Sequence, residues 1–191
     1  MEAEERFADD PVATLRFLHE RALELGARDS LFGLAELSYL AGKRLGSQDC
    51  FLTAAVYAYL FLLGPDSGPP PSPYDRRFRW ACDIYNRSLV RALGNGDGSL
   101  HLEGGERTLT AGSLTLEVDR SSFPFETRGL KLLPADQLDV VGLEFRVRDA
   151  GLGAPLIALV QRRGEGTAGV GILDETCVSA TLFLRVHGGQ A

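Results

Sequence analysis

Whatever chemistry this chain performs must come from a short list of side chains, and few of them stand at informative spacings. His19, His101 and His187 are the three histidines, and none has a partner at a spacing that marks a general base or a ligand set. An imidazole works as base or ligand only with neighbours that orient it, so each is read as a surface or structural residue. Serine hydrolysis needs a nucleophile on a sharp Gly-x-Ser-x-Gly turn, with a histidine and a carboxylate brought to it by the fold. The chain contains no such segment. Cys50, Cys82 and Cys177 lack the paired spacing of a zinc or redox site and read as buried small apolar residues. No metal, cofactor or disulfide framework is indicated.

Other spacings carry an attractive and a plain reading. Gly164, Gly166 and Gly169 satisfy Gly-x-Gly-x-x-Gly, but the Val170-Gly171-Ile172 that follows is too rich in glycine and β-branched residues to open a phosphate-binding helix. A hairpin tip is expected there instead. Asn95, Asp97 and Ser99 imitate the start of a calcium loop without its glycine or its bidentate glutamate. Asp174 with Glu175, and Asp136 with Asp139, are neighbouring carboxylates expected in solvated turns, where sequence neighbours rarely converge on a substrate. The polar residues that invite most interest are Asp83, Asn86 and Arg87, beside Tyr85 within an otherwise apolar helical stretch. A buried Asn86 would set the packing register of a helix bundle, and Arg87 is one turn from Asp83, within reach of an ion pair.

The elements that position these residues follow from periodicity. Asp10-Pro11 is an N-cap followed by a first helical residue, and Leu15, Leu18, Ala22 and Leu25 share a face before Gly26. Asp29 is expected to cap a second helix that ends near Gly42 or Gly46, with Leu31, Leu34, Ala35 and Leu37 facing inward. Ser47 or Asp49 precedes an almost wholly apolar run from Cys50 to Leu63, too short for the ~20 residues that span a bilayer and therefore a central core helix. A proline-rich connector, Gly64 to Pro73, leads to a helix from about Tyr74 to Leu93, with Phe78, Ala81, Cys82, Tyr85, Leu89 and Leu93 on its apolar face.

Past the glycine-rich Gly94–Gly98 segment the apolar period changes from helical to two. Leu114, Leu116 and Val118 alternate with polar residues; so do Val141 to Val147, with a bulge expected beside Gly142. Leu156 to Val160 and Val178 to Val186 complete the predicted strands, and His101 is expected in another. The fold class is α+β: a four-helix part over 1–94, then a mainly antiparallel β-rich part over 99–191, expected to be incomplete at its C-terminal end.

Composition agrees with a globular protein, 45% hydrophobic and 24% charged. The net charge of -6, with a similar acidic excess in both halves, opposes a phosphate backbone, so nucleic acid is not an expected partner. The acidic N-terminus, Met1 to Asp10, has no basic and apolar export pattern, so the sequence as it stands reads as cytoplasmic.

Four stretches together resemble a known family: Asp29-Ser30-Leu31-Phe32-Gly33-Leu34-Ala35-Glu36-Leu37-Ser38-Tyr39; Ala54-Ala55-Val56-Tyr57-Ala58-Tyr59-Leu60-Phe61; Asp75-Arg76-Arg77-Phe78-Arg79 with Tyr85-Asn86-Arg87; and Gly142-Leu143 with Arg146-Val147-Arg148 leading to Gly151-Leu152-Gly153-Ala154-Pro155-Leu156. They resemble the N-terminal region of large bacterial α/β-hydrolase proteins, predicted lipases or esterases that often begin with a lipoprotein signal. The resemblance implies a non-catalytic helical cap and β-rich lead-in that packs against a hydrolase domain in cis, on the periplasmic side of a membrane when a lipoprotein signal precedes it. No catalytic residue of that family maps onto this sequence. The alternative is a self-contained interaction module built of helical hairpins, although the chain holds fewer than the three or so units that repeat stacking usually needs. Least favoured is a small independent enzyme using Asp174, Glu175 or His101.

Overall fold

The computed structural model describes residues 2–65, 68–121, 130–137, 151–161 and 175–187. Five helices come first: α1 (Glu2–Asp9), α2 (Pro11–Leu25), α3 (Arg28–Leu45), α4 (Gln48–Leu63) and α5 (Arg76–Ala92). The short α1 is additional to the four expected. It is held by Phe7, which packs on the main core, and by the Arg6 guanidinium 5.1 Å from the centre of the Phe17 ring.

Local capping chemistry accounts for most helix ends. The Asp10 carboxylate accepts from the Ala13 N–H at 2.9 Å, Pro11 opens α2, and Gly26 closes it in the left-handed region at φ 57°. Ser47 accepts from the Cys50 N–H at 3.3 Å and starts α4. Two expected boundaries move. The cap of α3 is Ala27, which offers no side-chain acceptor; Asp29 lies inside the first turn, where the helix dipole favours its charge and Arg77 pairs with it at 2.5 Å. The last long helix begins at Arg76, two residues later than expected, because Asp75 accepts from the Arg77 N–H and so is the cap.

Helix α4 is the centre of the fold. Ten of its sixteen residues are buried, and each of the three core clusters contains some of them. Its C-terminal carbonyls would be orphaned by Gly64-Pro65. The Arg28 guanidinium meets them, donating to the carbonyls of Phe61, of Gly64 at 2.6 Å and of Gly68 at 2.5 Å. One arginine at the start of α3 therefore caps α4 and anchors the proline-rich connector. Among the described residues no helix is long and apolar enough to cross a membrane.

Among the described residues the β part forms two antiparallel sheets. Strands β1 (Gly105–Leu109) and β2 (Gly112–Leu116) make a hairpin, and β3 (Lys131–Pro134), β4 (Ala154–Gln161) and β5 (Glu175–Leu182) a three-stranded sheet in the order β3-β4-β5. The α+β class stands, and the β elements share the helical core: Leu109, Leu114 and Leu116 pack with Phe51 and Leu52, while Leu152, Leu182 and Leu184 pack against the cluster of α3, α4 and α5.

Several strand expectations change. The first predicted strand ends at Leu116 and leaves Val118 exposed. His101 lies in no strand; it follows an isolated bridge at Leu100, and its N–H donates to the Leu93 carbonyl at 2.8 Å. Strand β5 stops at Leu182 rather than continuing to Val186, because residue 184 is claimed by a helix. Cys177, expected in the core, is exposed on β5, whereas Cys50 and Cys82 are buried. The expected strand at 141–147 with its bulge at Gly142, the glycine motif at 164–169, and Asp139 and Asp174 lie outside the described residues.

Candidate functional site: the two faces of helix α5

Seventeen residues of α5 divide cleanly by helical period. One face buries Ala81, Cys82, Ile84, Tyr85, Asn86, Ser88, Leu89 and Ala92. The opposite face carries Arg76, Arg79, Trp80 and Arg87, all exposed, with Asp83 half-buried among them.

Two adjacent polar residues on the inner face grip the β sheet. The Tyr85 hydroxyl donates to the Leu184 carbonyl at 2.7 Å and accepts from the Leu184 N–H at 2.6 Å. The Asn86 amide donates to the Gly151 carbonyl at 2.8 Å, and its oxygen accepts from the Gly153 N–H at 2.8 Å. Each side chain thus mimics a strand's donor and acceptor pair. The β4–β5 register joins Ala154 to Leu182, so its extension by two residues would set Leu152 opposite Leu184. At that point the ladder opens, and α5 supplies the missing partners. Burial pushes the Tyr85 hydroxyl pKa well above its ordinary value, keeping it protonated as a donor. Gly153, whose N–H Asn86 holds, has φ 128°, and a Cβ there would stand 2.6 Å from Thr181 Cγ2 on β5, so the position favours glycine.

Asn86 is therefore buried and satisfied, but its partners lie in the β part rather than in the helix bundle. Arg87 and Asp83 point the other way, and among the described residues no ion pair joins them. The three residues singled out in the sequence divide between two faces and do not form one site. Tyr85, Trp80, Arg28 and Arg77 were the contributors missed. A visible signal existed for Trp80, which falls off the stripe of Phe78, Ala81, Cys82, Tyr85 and Leu89. None existed for Tyr85, whose role depends on a segment 99 residues away.

On the outer face, Pro73, Tyr74, Asp75, Arg76, Arg79, Trp80 and Asp83 line a groove of about 350 Å³. Tyr74 is 97% and Trp80 60% exposed. The base of the groove is fixed by Arg77, which donates to Asp75 at 2.7 Å and Asp29 at 2.5 Å and lies 5.8 Å from the centre of the Phe61 ring. Hydrogen bonds from Arg77 hold the Asp75 pKa below the usual carboxylate range.

A second groove, about 440 Å³, lies between α2 and the β1–β2 turn, lined by Arg16, His19, Glu20 and residues 108–112. Its polar groups hold the turn in place. Arg16 Nε donates to the Thr110 carbonyl at 3.0 Å, the Thr110 N–H donates to Thr53 Oγ1 at 3.2 Å, and His19 Nδ1 is hydrogen-bonded to the Tyr57 hydroxyl at 2.7 Å. His101 pairs with Glu103 at 2.7 Å in solvent, and His187 is exposed. Burial, assisted by the neighbouring Asp83 charge, pushes the Cys82 thiol up to about 11, away from thiolate chemistry at neutral pH. The calcium-like turn is closed on itself, with Asp97 accepting from the Ser99 N–H at 3.0 Å and from its hydroxyl at 2.6 Å. Among the described residues no three His, Cys, Asp or Glu side chains gather at a metal-binding distance.

No family model matches the chain, and no curated protein or solved structure is significantly similar to it.

Proposed function

We propose that this chain is a non-catalytic accessory region that packs against an α/β-hydrolase-type catalytic domain and shapes access to it. The observation that carries the reading is the division of α5, whose inner face locks the helices to the sheet through Tyr85 and Asn86 while its outer face offers bare Trp80 and arginines. A rigid body with an uncovered aromatic and cationic strip suits a scaffold. The polar clusters support it too, since the imidazoles of His19 and His101 and the thiol of Cys82 occupy structural settings rather than nucleophile and base positions. A net charge of -6 favours a protein partner over nucleic acid.

The test is to purify the chain and assay it on short-chain p-nitrophenyl esters, with the DNA on either side sequenced in parallel. Background turnover with an in-frame or adjacent serine-elbow domain supports the proposal. Turnover that co-purifies with the chain and survives active-site titration controls defeats it.

A second reading, a self-contained interaction module, draws on the same exposed strip. A stoichiometric partner that is not a hydrolase, recovered with purified chain, would favour it.

A further inference from the structure

The chain has two asparagines, and they stand in opposite settings. Asn86 is buried in α5, both ends of its amide are hydrogen-bonded to the β part, and Arg87 follows it. Asn95 is exposed in the turn that joins α5 to the β part, and Gly96 follows it. An asparagine amide carbon is tethered to a nucleophile, the backbone nitrogen of the next residue, and such tethering makes ring closure far easier than attack from solution. The reaction is held back by a Cβ on the next residue, by a hydrogen bond that occupies its N–H, or by regular structure.

None of the three protects Asn95. Gly96 has no Cβ, and nothing lies within 4 Å of where one would stand. Its N–H makes no hydrogen bond among the described residues, although the turn around it is well bonded. The Asn95 N–H donates to the Ser99 carbonyl at 2.7 Å, and the Gly98 N–H to the Asn95 carbonyl at 3.1 Å. Among the described residues the Asn95 amide is held by one contact, Nδ2 to Ser99 Oγ at 3.4 Å, which is long for such a bond. Asp97-Gly98 in the same turn is protected where Asn95-Gly96 is not. The Gly98 N–H is taken, and hydrogen bonds from Ser99 with Lys131 beside them keep the Asp97 carboxyl ionised and resistant to a nitrogen nucleophile.

We infer that Asn95-Gly96 is a site of spontaneous covalent modification, where water converts Asn95 to aspartate and isoaspartate and so loosens the joint between α5 and the β part. The Gly96 nitrogen gives its proton to solvent base and attacks Asn95 Cγ. The new C–N bond forms as the Cγ–Nδ2 bond breaks, and Nδ2 takes a proton from water and leaves as ammonia. The resulting succinimide then takes up one water. Opening at the side-chain carbonyl gives aspartate; opening at the backbone carbonyl gives isoaspartate, whose main chain runs through the former side chain and is one methylene longer.

That added length falls where several ties meet. The Asn95 N–H bond to Ser99 sits inside the Gly94–Leu100 bridge, Gln48 Nε2 donates to the Gly94 carbonyl at 2.7 Å, and the N–H groups of Leu100 and His101 donate to the carbonyls of Leu132 and Leu93, each at 2.8 Å. Isoaspartate at 95 changes the span between Gly94 and Ser99, so the bridge and its neighbours no longer match in register.

The experiment ages the intact chain in mildly alkaline buffer at physiological temperature, beside a synthetic peptide of residues 92–107 and a Gly96→Ala chain. Brief, mildly acidic tryptic digestion puts Asn95 in peptide 92–107 and Asn86 in peptide 80–87, so mass spectrometry counts them separately. Electron-transfer fragmentation tells isoaspartate from aspartate. The expected result is conversion of Asn95 in the folded chain within about tenfold of the free peptide's rate, with isoaspartate in excess and Asn86 intact. Gly96→Ala should slow the conversion about tenfold or more, because its Cβ crowds the attacking nitrogen. Open space at that position predicts an unchanged circular dichroism spectrum, which reports that the variant is folded. Hydrogen exchange at Leu100 and His101 should be faster in the isoaspartate fraction than in the aged Gly96→Ala chain. Conversion of Asn95 slowed beyond that limit by the fold, equal conversion of Asn86, or unchanged exchange at the two amides each overturns the inference.

Discussion

The hydroxyl of Tyr85 and the backbone of Leu184 exchange two hydrogen bonds, at 2.7 and 2.6 Å, across 99 residues of sequence. With Asn86 beside it, this contact makes the helical and β parts depend on each other. Loss of one hydroxyl would leave a partly buried N–H and C=O of Leu184 without their partner.

Tyr85→Phe is expected to cost about 2 kcal/mol, because the partners are left unsatisfied while shape is retained. For a chain of this length that is a fall in Tm of roughly 4–8 °C. Asn86→Ala should cost a similar amount and speed hydrogen exchange at Gly153, whose N–H loses its acceptor. Calorimetry and exchange mass spectrometry check both, and an unchanged Tm in the two variants would show that the clamp contributes nothing.

Two glycines of α3 should respond in opposite directions to alanine. A Cβ at Gly42 would stand 2.8 Å from the Phe51 ring, so Gly42→Ala is expected to destabilise by about 1–3 kcal/mol. Gly33 has open space around it, and Gly33→Ala should stabilise by roughly 0.5–1 kcal/mol through helix propensity. Denaturant midpoints at constant m-value distinguish the two.

Ser38 and Ser88 bury hydroxyl oxygens that have no hydrogen-bond partner among the described residues. Replacing such a group by an apolar one of similar shape removes a desolvation cost. Ser88→Ala should therefore leave Tm unchanged or raise it, and a fall of several degrees would reveal a partner for the hydroxyl.

Acid and alkali should act through different groups. Hydrogen bonds from Ser99, with Lys131 adding to them, hold Asp97 at about 2, below the ordinary carboxylate value near 4. Its contribution is fully present above about pH 4 and is lost as pH falls through about 2. Asp97→Asn should flatten the fall in Tm over that window.

Burial pushes Tyr57 up to about 12, so the folded state keeps it neutral while the unfolded chain ionises it near 10. Stability is whole below about pH 10 and is lost as pH rises through about 12. Tyr57→Phe should lessen the slope of that loss.

Much of the helical part was legible because its determinants are local. Asp10, Pro11, Gly26 and Ser47 act on residues within a turn, so side-chain type alone predicts the cap of α2 and narrows that of α4 to Ser47 or Asp49. The near-continuous apolar run likewise announces α4 as the central helix. Asp29 misled because a carboxylate before an apolar stretch suits either a cap or a first-turn ion pair, and Arg77, 48 residues away, decided for the latter. Four residues suffice for β3, too few for an alternating pattern to show.

Composition and periodicity by themselves determined the α+β class and the core position of α4, since both follow from which side chains avoid water. Only the tertiary structure decided what Asn86 and Tyr85 hold, where β5 ends and which face of α5 is bare. Those outcomes depend on hydrogen-bond partners tens of residues distant, and chain closure over such separations leaves no mark in local spacing.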